Sequence, residues 1–317
     1  MEKELLKILA EKQNEYVSGQ YIGELLNISR MSVSTYVKKL RERGYHITTS
    51  TKKGYCLTNE NDIIFTDEIK KNIPSFYQKI EYFDEVTSTN DLFKMNTYDE
   101  GDIIIAESQN KGKGRNGKSF YSPKQKGIYI SFLIKPDLTV YDSLKVTACC
   151  AVAVTKAIQK NYSLDPKIKW VNDIMLNDKK VCGILCEASL EMNTGKLDQM
   201  IVGVGINVHS YEIPDELNDI ATCLEKHTDK IVPRQKIIID FLNEFYDDYI
   251  NLSSLSFLDD YRKHSYILHQ HITVYENNKS YPAFVTHIND DASLTVKYGD
   301  EDHILQSGEI SIRKKLN

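Results

Sequence analysis

The segment Lys111-Gly112-Lys113-Gly114-Arg115-Asn116-Gly117-Lys118-Ser119-Phe120-Tyr121-Ser122-Pro123 decides how the rest of the chain is read. Its three glycines let the backbone adopt φ > 0 and come close to a ligand, and its four basic side chains supply positive charge. Inward-turned N–H groups beside Lys and Arg make a cradle for phosphate or carboxylate. A solvated surface loop has a similar composition. The flanks favour the cradle: apolar Ile103-Ile104-Ile105-Ala106 precedes the segment and apolar Ile128 to Ile134 follows it.

From Gly112 to Ser119 the letters also satisfy the P-loop expression G-x-x-x-x-G-K-[ST]. A P-loop needs a helix starting at its Lys-Ser, so that the first N–H groups face the phosphates. Here Phe120-Tyr121-Ser122-Pro123 and Gly127 lead into Ile128-Tyr129-Ile130-Ser131-Phe132-Leu133-Ile134, a run of β-formers. The expectation is a glycine loop joining two strands, which holds a nucleotide by a different geometry.

Other polar groups gather around apolar segments on either side. Thr87-Ser88-Thr89-Asn90 precedes Leu92, Phe93 and Met95, as hydroxyls and an amide capping a short helix and lining a pocket. Leu144 to Asn161 is a long apolar helix. Lys167-Ile168-Lys169-Trp170-Val171-Asn172-Asp173 ends a short strand, and Asn177-Asp178 is a turn pair. Lys179 to Glu187 resumes a strand in which Gly183 admits a ligand beside Lys180. Met200 to Val208 is a buried strand containing Gly203 and Gly205 and carrying Asn207 near its end. The acidic stretch 209–230 lacks a regular pattern and reads as a mobile loop, Pro233 to Tyr249 reads as a helix, and five short β segments from Ile272 read as a small barrel.

At the amino end, Leu5, Ile8 and Leu9, then Ile22, Leu25 and Leu26, have helical spacing, with Ser18 as a cap. After the break at Asn27-Ile28-Ser29, Val33, Tyr36, Val37 and Leu40 form a third stripe, which Gly44 ends. So short a connection reads as helix-turn-helix. The open face carries Ser29, Arg30, Met31, Ser32, Ser34 and Thr35, polar groups that reach base edges, while Lys38 and Lys39 suit phosphates. Residues 46–58 form a hairpin around Lys52-Lys53, a basic wing. A three-helix protein-interaction module shares this pattern. The charge balance favours DNA: from Arg30 to Lys53 there are seven Lys/Arg against one Asp/Glu, on a chain of net charge -5. Asn59-Glu60-Asn61-Asp62 is the first domain boundary.

With 317 residues, the chain holds two or three domains. No apolar run approaches the ~20 residues of a membrane span. Met1-Glu2-Lys3-Glu4 begins no signal peptide, so the expectation is a cytoplasmic protein. Six cysteines lack C-x-x-C spacing, and Cys182 with Cys186 would make only half a metal site. Buried thiols, and no metal site, are expected.

This order of parts resembles the bifunctional biotin–protein ligases that double as biotin-operon repressors, over essentially the whole chain. Gly112-Lys113-Gly114-Arg115-Asn116-Gly117 looks like the family's G-R-G-R-x-G loop, Ser88-Thr89-Asn90 its S-T-N, and Lys169-Trp170-Val171-Asn172-Asp173 its K-W-P-N-D. Lys180 to Glu187 resembles K-x-x-G-I-L-x-E, and Gly203 to Asn207 resembles G-x-G-I-N. Lys113 replaces an Arg, Val171 replaces a Pro, and Phe120 stands where some members have Trp.

The resemblance implies an α+β multidomain fold. Its parts are a winged helix-turn-helix (1–60), a central α/β catalytic domain with a mixed, class II synthetase-like sheet (63–270) and a small SH3-like β-barrel (271–317). It implies biotin against Ser88, Thr89, Asn90, Gln109, Gly112, Lys113, Arg115, Lys180, Gly183 and Gly203. The adenylate is expected near Arg115, Lys118, Phe120, Asn172, Asp173 and Asn207. Lys180 and Arg115 would stabilise charge, and Asp173 would orient or deprotonate the acceptor amine. ATP with Mg²⁺, a biotin carboxyl carrier domain, operator DNA and a ligand-promoted homodimer are the implied cofactors and partners, with no membrane. Two other readings share these residues: a ligand-sensing transcription factor with an inert catalytic fold, and a lipoate-type protein ligase.

Overall fold

A computed structural model describes residues 1–58, 62–190, 196–276, 279–299, 301–306 and 311–314. The chain divides into two compact units, Met1–Ile63 and Ile64–Asn317. Residues 59–61 of the expected boundary lie outside the described residues.

The first unit contains α1 (Glu2–Glu11), α2 (Gly19–Leu26) and α3 (Arg30–Glu42), followed by the hairpin β1 (Ile47–Ser50) and β2 (Gly54–Leu57). Ser18 caps α2 by accepting from Tyr21 N, and Asn27 takes a left-handed conformation (φ 52°) that turns the chain into α3. Leu5, Leu9, Ile22, Val33, Val37 and Leu40 meet in one core, as their helical spacing predicts. Arg41 Nε donates to Ile47 O (2.7 Å), tying α3 to the hairpin.

The second unit begins with α4 (Thr66–Lys71), β3 (Ile80–Phe83), α5 (Thr89–Met95) and β4 (Ile103–Ala106). Then come β5 (Gly127–Ile134), α6 (Ser143–Tyr162), β6 (Lys167–Lys169), β7 (Asp173–Leu176), β8 (Lys179–Leu190) and β9 (Leu197–Asn207). The seven strands form one mixed sheet of order β3-β4-β5-β9-β8-β7-β6, parallel only between β3 and β4. The glycine segment therefore joins two antiparallel strands, β4 and β5. Its one helical feature is a 3-10 turn at Arg115–Gly117, and a strand rather than a P-loop helix follows.

Strand alternation sorts β5 between two faces. Ile128, Ile130, Phe132 and Ile134 enter the main core, where α6 packs against α7 (Arg234–Ile250) and α8 (Ser256–Lys263). Leu133 joins Ile104, Ile201 and Phe93 of α5 on the opposite face. Ser131 shares that face with Leu133. Residues 209–230 contain two short 3-10 turns, Asp215–Leu217 and Leu224–His227.

Strands β10 (His271–Glu276), β11 (Lys279–Ile288), β12 (Leu294–Tyr298), β13 (Glu301–Leu305) and β14 (Ser311–Lys314) form an antiparallel sheet of order β13-β12-β11-β10-β14. Among the described residues no ladder joins β13 to β14, so closure of the expected barrel is not seen there. The expected turn residues Asn277, Asn278 and Asp300 lie outside the described residues. Ile272, Val274, Val285 and Val296 belong to the same apolar core as the central sheet, so compactness places no boundary at 271.

Candidate active site

The site lies on the α5 face of the sheet, where three strands run side by side. Ser131 of β5 pairs with Gly203 of β9, which pairs with Leu185 of β8. Two residues along, Tyr129, Gly205 and Gly183 form a second row. The glycines leave a floor without side chains, and a functional group lies over each. A Cβ on Gly203 would stand 2.2 Å from Asn90 Oδ1, one on Gly205 2.5 Å from the Phe120 ring, and one on Gly183 2.8 Å from Lys180 Nζ. Gly203 and Gly205 cross beneath packed side chains that leave no room for a Cβ, whereas at Gly183 the neighbour is the end of the flexible Lys180 side chain.

The S-T-N residues were expected to cap α5, and Ser88 does occupy its N-cap position, but its side chain makes no cap hydrogen bond. Gln109 takes that role: its Oε1 accepts from Thr89 N (2.9 Å) and lies 3.2 Å from Thr89 Oγ1. Released from capping, the hydroxyl and amide of Thr89 and Asn90 reach Ser131 Oγ, each at 2.6 Å. Asn90 Nδ2 also donates to Glu187 Oε2 (2.8 Å).

Charged groups gather at the other side of the floor. Lys180 Nζ is 2.7 Å from Asp173 Oδ1 and 5.8 Å from the centre of the Phe120 ring. Arg115 Nη1 donates to Asn172 Oδ1 (3.0 Å), and Asn172 is fixed by Nδ2 donating to Ile184 O (2.9 Å). Burial pulls the Arg115 guanidinium below its ordinary pKa, while the Asp173 carboxylate opposes that pull. Lys113 is differently occupied. It pairs with Asp91 Oδ1 at 2.6 Å, and that hydrogen bond raises its pKa.

These groups enclose a cavity of about 40 Å³ lined by Ser88, Thr89, Asn90, Gln109, Lys113, Arg115, Phe120, Asn172, Lys180, Gly183 and Gly203, all expected from sequence. Four expected residues do not line it. Gly112 lies behind the wall, its carbonyl accepting from Phe120 N (2.8 Å). Asp173 reaches the cavity through Lys180. Lys118 is exposed. Asn207 sits at the end of β9, donating from Nδ2 to Thr222 O (3.0 Å), while its buried Oδ1 has no hydrogen-bond partner among the described residues. A cleft of about 670 Å³ near His227, Asp178 and Tyr266 is far larger but contains none of the expected groups. Volume alone does not mark the chemistry.

Sequence reading missed Ser131, Glu187 and Thr222. Ser131 had a signal, a small polar residue inside a strand of apolar and aromatic ones. Thr222 had none, since its contribution is backbone. Thr222 N donates to Lys180 O (2.9 Å) and Lys180 N to Ile220 O (2.8 Å), so residues 220–222 pair alongside the lysine. Cys182 and Cys186 are not reactive groups; burial raises both thiols, Cys186 to about 11.

In the first unit, α3 exposes Arg30, Met31, Ser34, Thr35 and Lys38. Ser29 is the N-cap of α3, accepting from Ser32 N (3.1 Å), and the two hydroxyls are 2.9 Å apart. Lys39 turns toward α1, with Nζ 3.7 Å from Glu2. No described helix is long and apolar enough to cross a membrane.

Residues 81–207 match the profile of the Biotin/lipoate A/B protein ligase family, and residues 2–56 match an HTH domain. The chain is 32% identical over 260 residues to the Bifunctional ligase/repressor BirA of Bacillus subtilis, covering 79% of each protein. It is 29% identical over 206 residues to the protein of the same name from Escherichia coli, covering 64% of this chain and 63% of that one. The biotin protein ligase of Aquifex aeolicus, solved in complex with biotin and ATP, superposes with a TM-score of 0.67 at 25% identity. That match covers 75% of this chain and all (100%) of the other. With a ligase-type glycine floor beneath paired cations and a helix-turn-helix unit ahead of it, the chain belongs to the bifunctional ligase/repressors of the biotin protein ligase family.

Proposed function

We propose that the chain joins biotin to ATP as biotinyl-5'-AMP and passes the biotinyl group to a lysine of a biotin carboxyl carrier domain. The adenylate also promotes repression of biotin genes. The observation that carries the reading is the convergence of Lys180 and Arg115 on one cavity floored by glycines. Biotin's carboxylate attacks the α-phosphate, and pyrophosphate leaves. Negative charge grows on the phosphoryl oxygens, and fixed cations in a dry site stabilise it most. Arg115 and Lys180 supply those cations, and Asp173 aims the lysine. Thr89, Asn90 and Gln109 face the head group, with Ser88, Gly183 and Gly203 forming the wall.

Asn207 Oδ1 supports the nucleotide assignment, as a buried acceptor still open to a donor. Phe120 and Asn172 line the adenylate side, and Lys118 would have to turn inward to join them. Mg²⁺ neutralises phosphate charge, and no cluster among the described residues would cage it. It is therefore taken to arrive on the nucleotide.

We further assign a three-part chain (1–60, 63–270, 271–317) whose last sheet curls as an SH3-like barrel. A ligand-promoted homodimer would set two α3 helices on a two-fold operator, with Arg30, Ser34 and Thr35 toward bases and Lys38 toward phosphate. ATP, carrier and operator place the work in the cytoplasm. Incubation with labelled biotin, ATP and a carrier domain tests the reading. Labelled carrier that depends on ATP is expected, and none would overturn it.

A further inference from the structure

Among the described residues, two primary amines line the cavity proposed to activate the acid, those of Lys113 and Lys180. Arg115, the third cation there, keeps its proton at any physiological pH and is no nucleophile. An amine is different, because its neutral form attacks activated acyl groups. Each of the two is held by an aspartate. Lys180 Nζ lies 2.7 Å from Asp173 Oδ1, and Lys113 Nζ lies 2.6 Å from Asp91 Oδ1.

The backbone around Lys113 is pinned, since Lys113 bridges to Ser119 and Gly114 N donates to Lys118 O (2.7 Å). The side chain alone therefore decides where the nitrogen stands, and Asp91, in the first turn of α5, draws it to the helix. That hydrogen bond is the main cause that raises the Lys113 pKa, burial opposes it, and Glu187 of β8 adds to it. Glu187 itself pairs with Lys94 Nζ (2.6 Å), and the cations Arg115 and Lys180 line the same cavity as Lys113. A tethered, protonated nitrogen has no lone pair to give. Lys111 is exposed on the same segment, and its side chain makes no ion pair among the described residues.

We propose that Lys113 is a latent self-modification site for the chain's own biotinyl-5'-AMP, and that Asp91 is the positioning residue that restrains it. In the restrained step the deprotonated Nζ attacks the acyl carbon of the anhydride. A C–N bond forms, the bond from that carbon to the phosphate oxygen breaks, and AMP leaves with the electron pair. The nitrogen gives its surplus proton to water, and the product is an amide on Lys113. An arginine in this place needs no such guard, and a lysine does. The inference rests on the adenylate chemistry proposed above.

Incubation of the full chain with biotin and ATP but no carrier, between about pH 7 and 9, tests it, with biotin on each lysine read by peptide mass spectrometry. In Asp91→Asn the label on Lys113 is expected to rise at least about threefold at a fixed pH, while the label on Lys111 stays level. The rise of Lys113 labelling with pH should also begin lower than in the wild type, and Asp91→Glu should restore the restraint. Should Asp91→Asn fail to fold, Asp91→Ser is read instead. Equal rises on Lys111 and Lys113 would show only that adenylate escapes, and would overturn the inference. So would an unchanged Lys113 in a variant that still forms the adenylate. A wild type that gives an added carrier domain no ATP-dependent label overturns the proposed function, and this inference with it.

Discussion

Lys180 Nζ stands 2.7 Å from Asp173 Oδ1 across the β7–β8 hairpin. The hairpin register steps from Cys182 to Lys180 between Ile174 and Met175, a bulge that re-aims the lysine onto the glycine floor. An ammonium held at one point by one carboxylate suits a charge that appears only in the transition state. Lys180→Ala should lower pyrophosphate release about 10²–10³-fold, while biotin affinity changes much less. Asp173→Asn should cost about tenfold, because the lysine remains but loses its aim. Equal losses in biotin affinity and rate for Lys180→Ala would show ordinary ground-state binding instead.

Phe120 lies on Gly205, with no room for a Cβ between them. Gly205→Ala should push the ring off the floor and slow biotin transfer about tenfold. In a Phe120→Ala background the same change should cost less than about twofold, since residues in contact are not additive. Single-turnover transfer rates for the four proteins measure the coupling, and additive effects would separate the two residues.

Arg234, fully buried, donates from Nη1 to Glu107 Oε2 (2.9 Å) and from Nη2 to Oε1 (3.1 Å), with Tyr82 Oη also donating to that carboxylate. Its Nη1 holds Gly127 O as well, so one guanidinium fixes both feet of the 107–126 segment. Arg234→Met leaves a buried carboxylate without its cation and should destabilise the second unit by about 3–5 kcal/mol. Adding Glu107→Gln should restore part of that. Urea unfolding of the second unit provides the measurement.

His227 accepts from Asn177 Nδ2 (3.1 Å), which leaves its Nε2–H to donate to Thr222 Oγ1 (2.9 Å). Burial, then the charge of Lys226, lowers its pKa below the ordinary 6.5. His264 is lowered too, by burial first and then by Lys167. A depressed histidine binds its proton more readily when unfolded. Stability from both groups is therefore present above about pH 6.5 and drains away as the pH falls through the folded values. His227→Gln should flatten the fall of Tm between about pH 6.5 and 5. A Tm that keeps its full slope in His227→Gln and His264→Gln would assign the slope to carboxylates.

The family and the order of its elements were legible in the sequence, and most residues proposed for the site line one cavity. Lys180, Arg115 and Gly203, the residues proposed to meet the ligand, line one cavity, and their type and spacing single them out along the chain. Gly183 and Gly205 sit opposite each other because two strands register, and pairing of that kind is invisible along a single chain. The capping expected of Ser88 failed for a related reason. Gln109, distant in sequence, satisfies the first N–H of α5, while Ser88 makes no cap hydrogen bond. The barrel was inferred from regularly spaced β segments, and such spacing gives strand number and direction but not closure.

The two backbone hydrogen bonds that flank Lys180 stitch residues 220–222 to the strand that carries it. The acidic connection is therefore not one flap but two, hinged independently on a riveted midpoint. Residues 217–219 belong to the midpoint, since Leu217 O accepts from Ile220 N (2.9 Å) and Ala221 N (2.8 Å). That leaves 211–216 as the first flap, whereas any excursion of 223–227 pulls on the Thr222 carbonyl that holds Asn207. Insertions or protease cuts should accordingly be harmless in the first flap and damaging in the second.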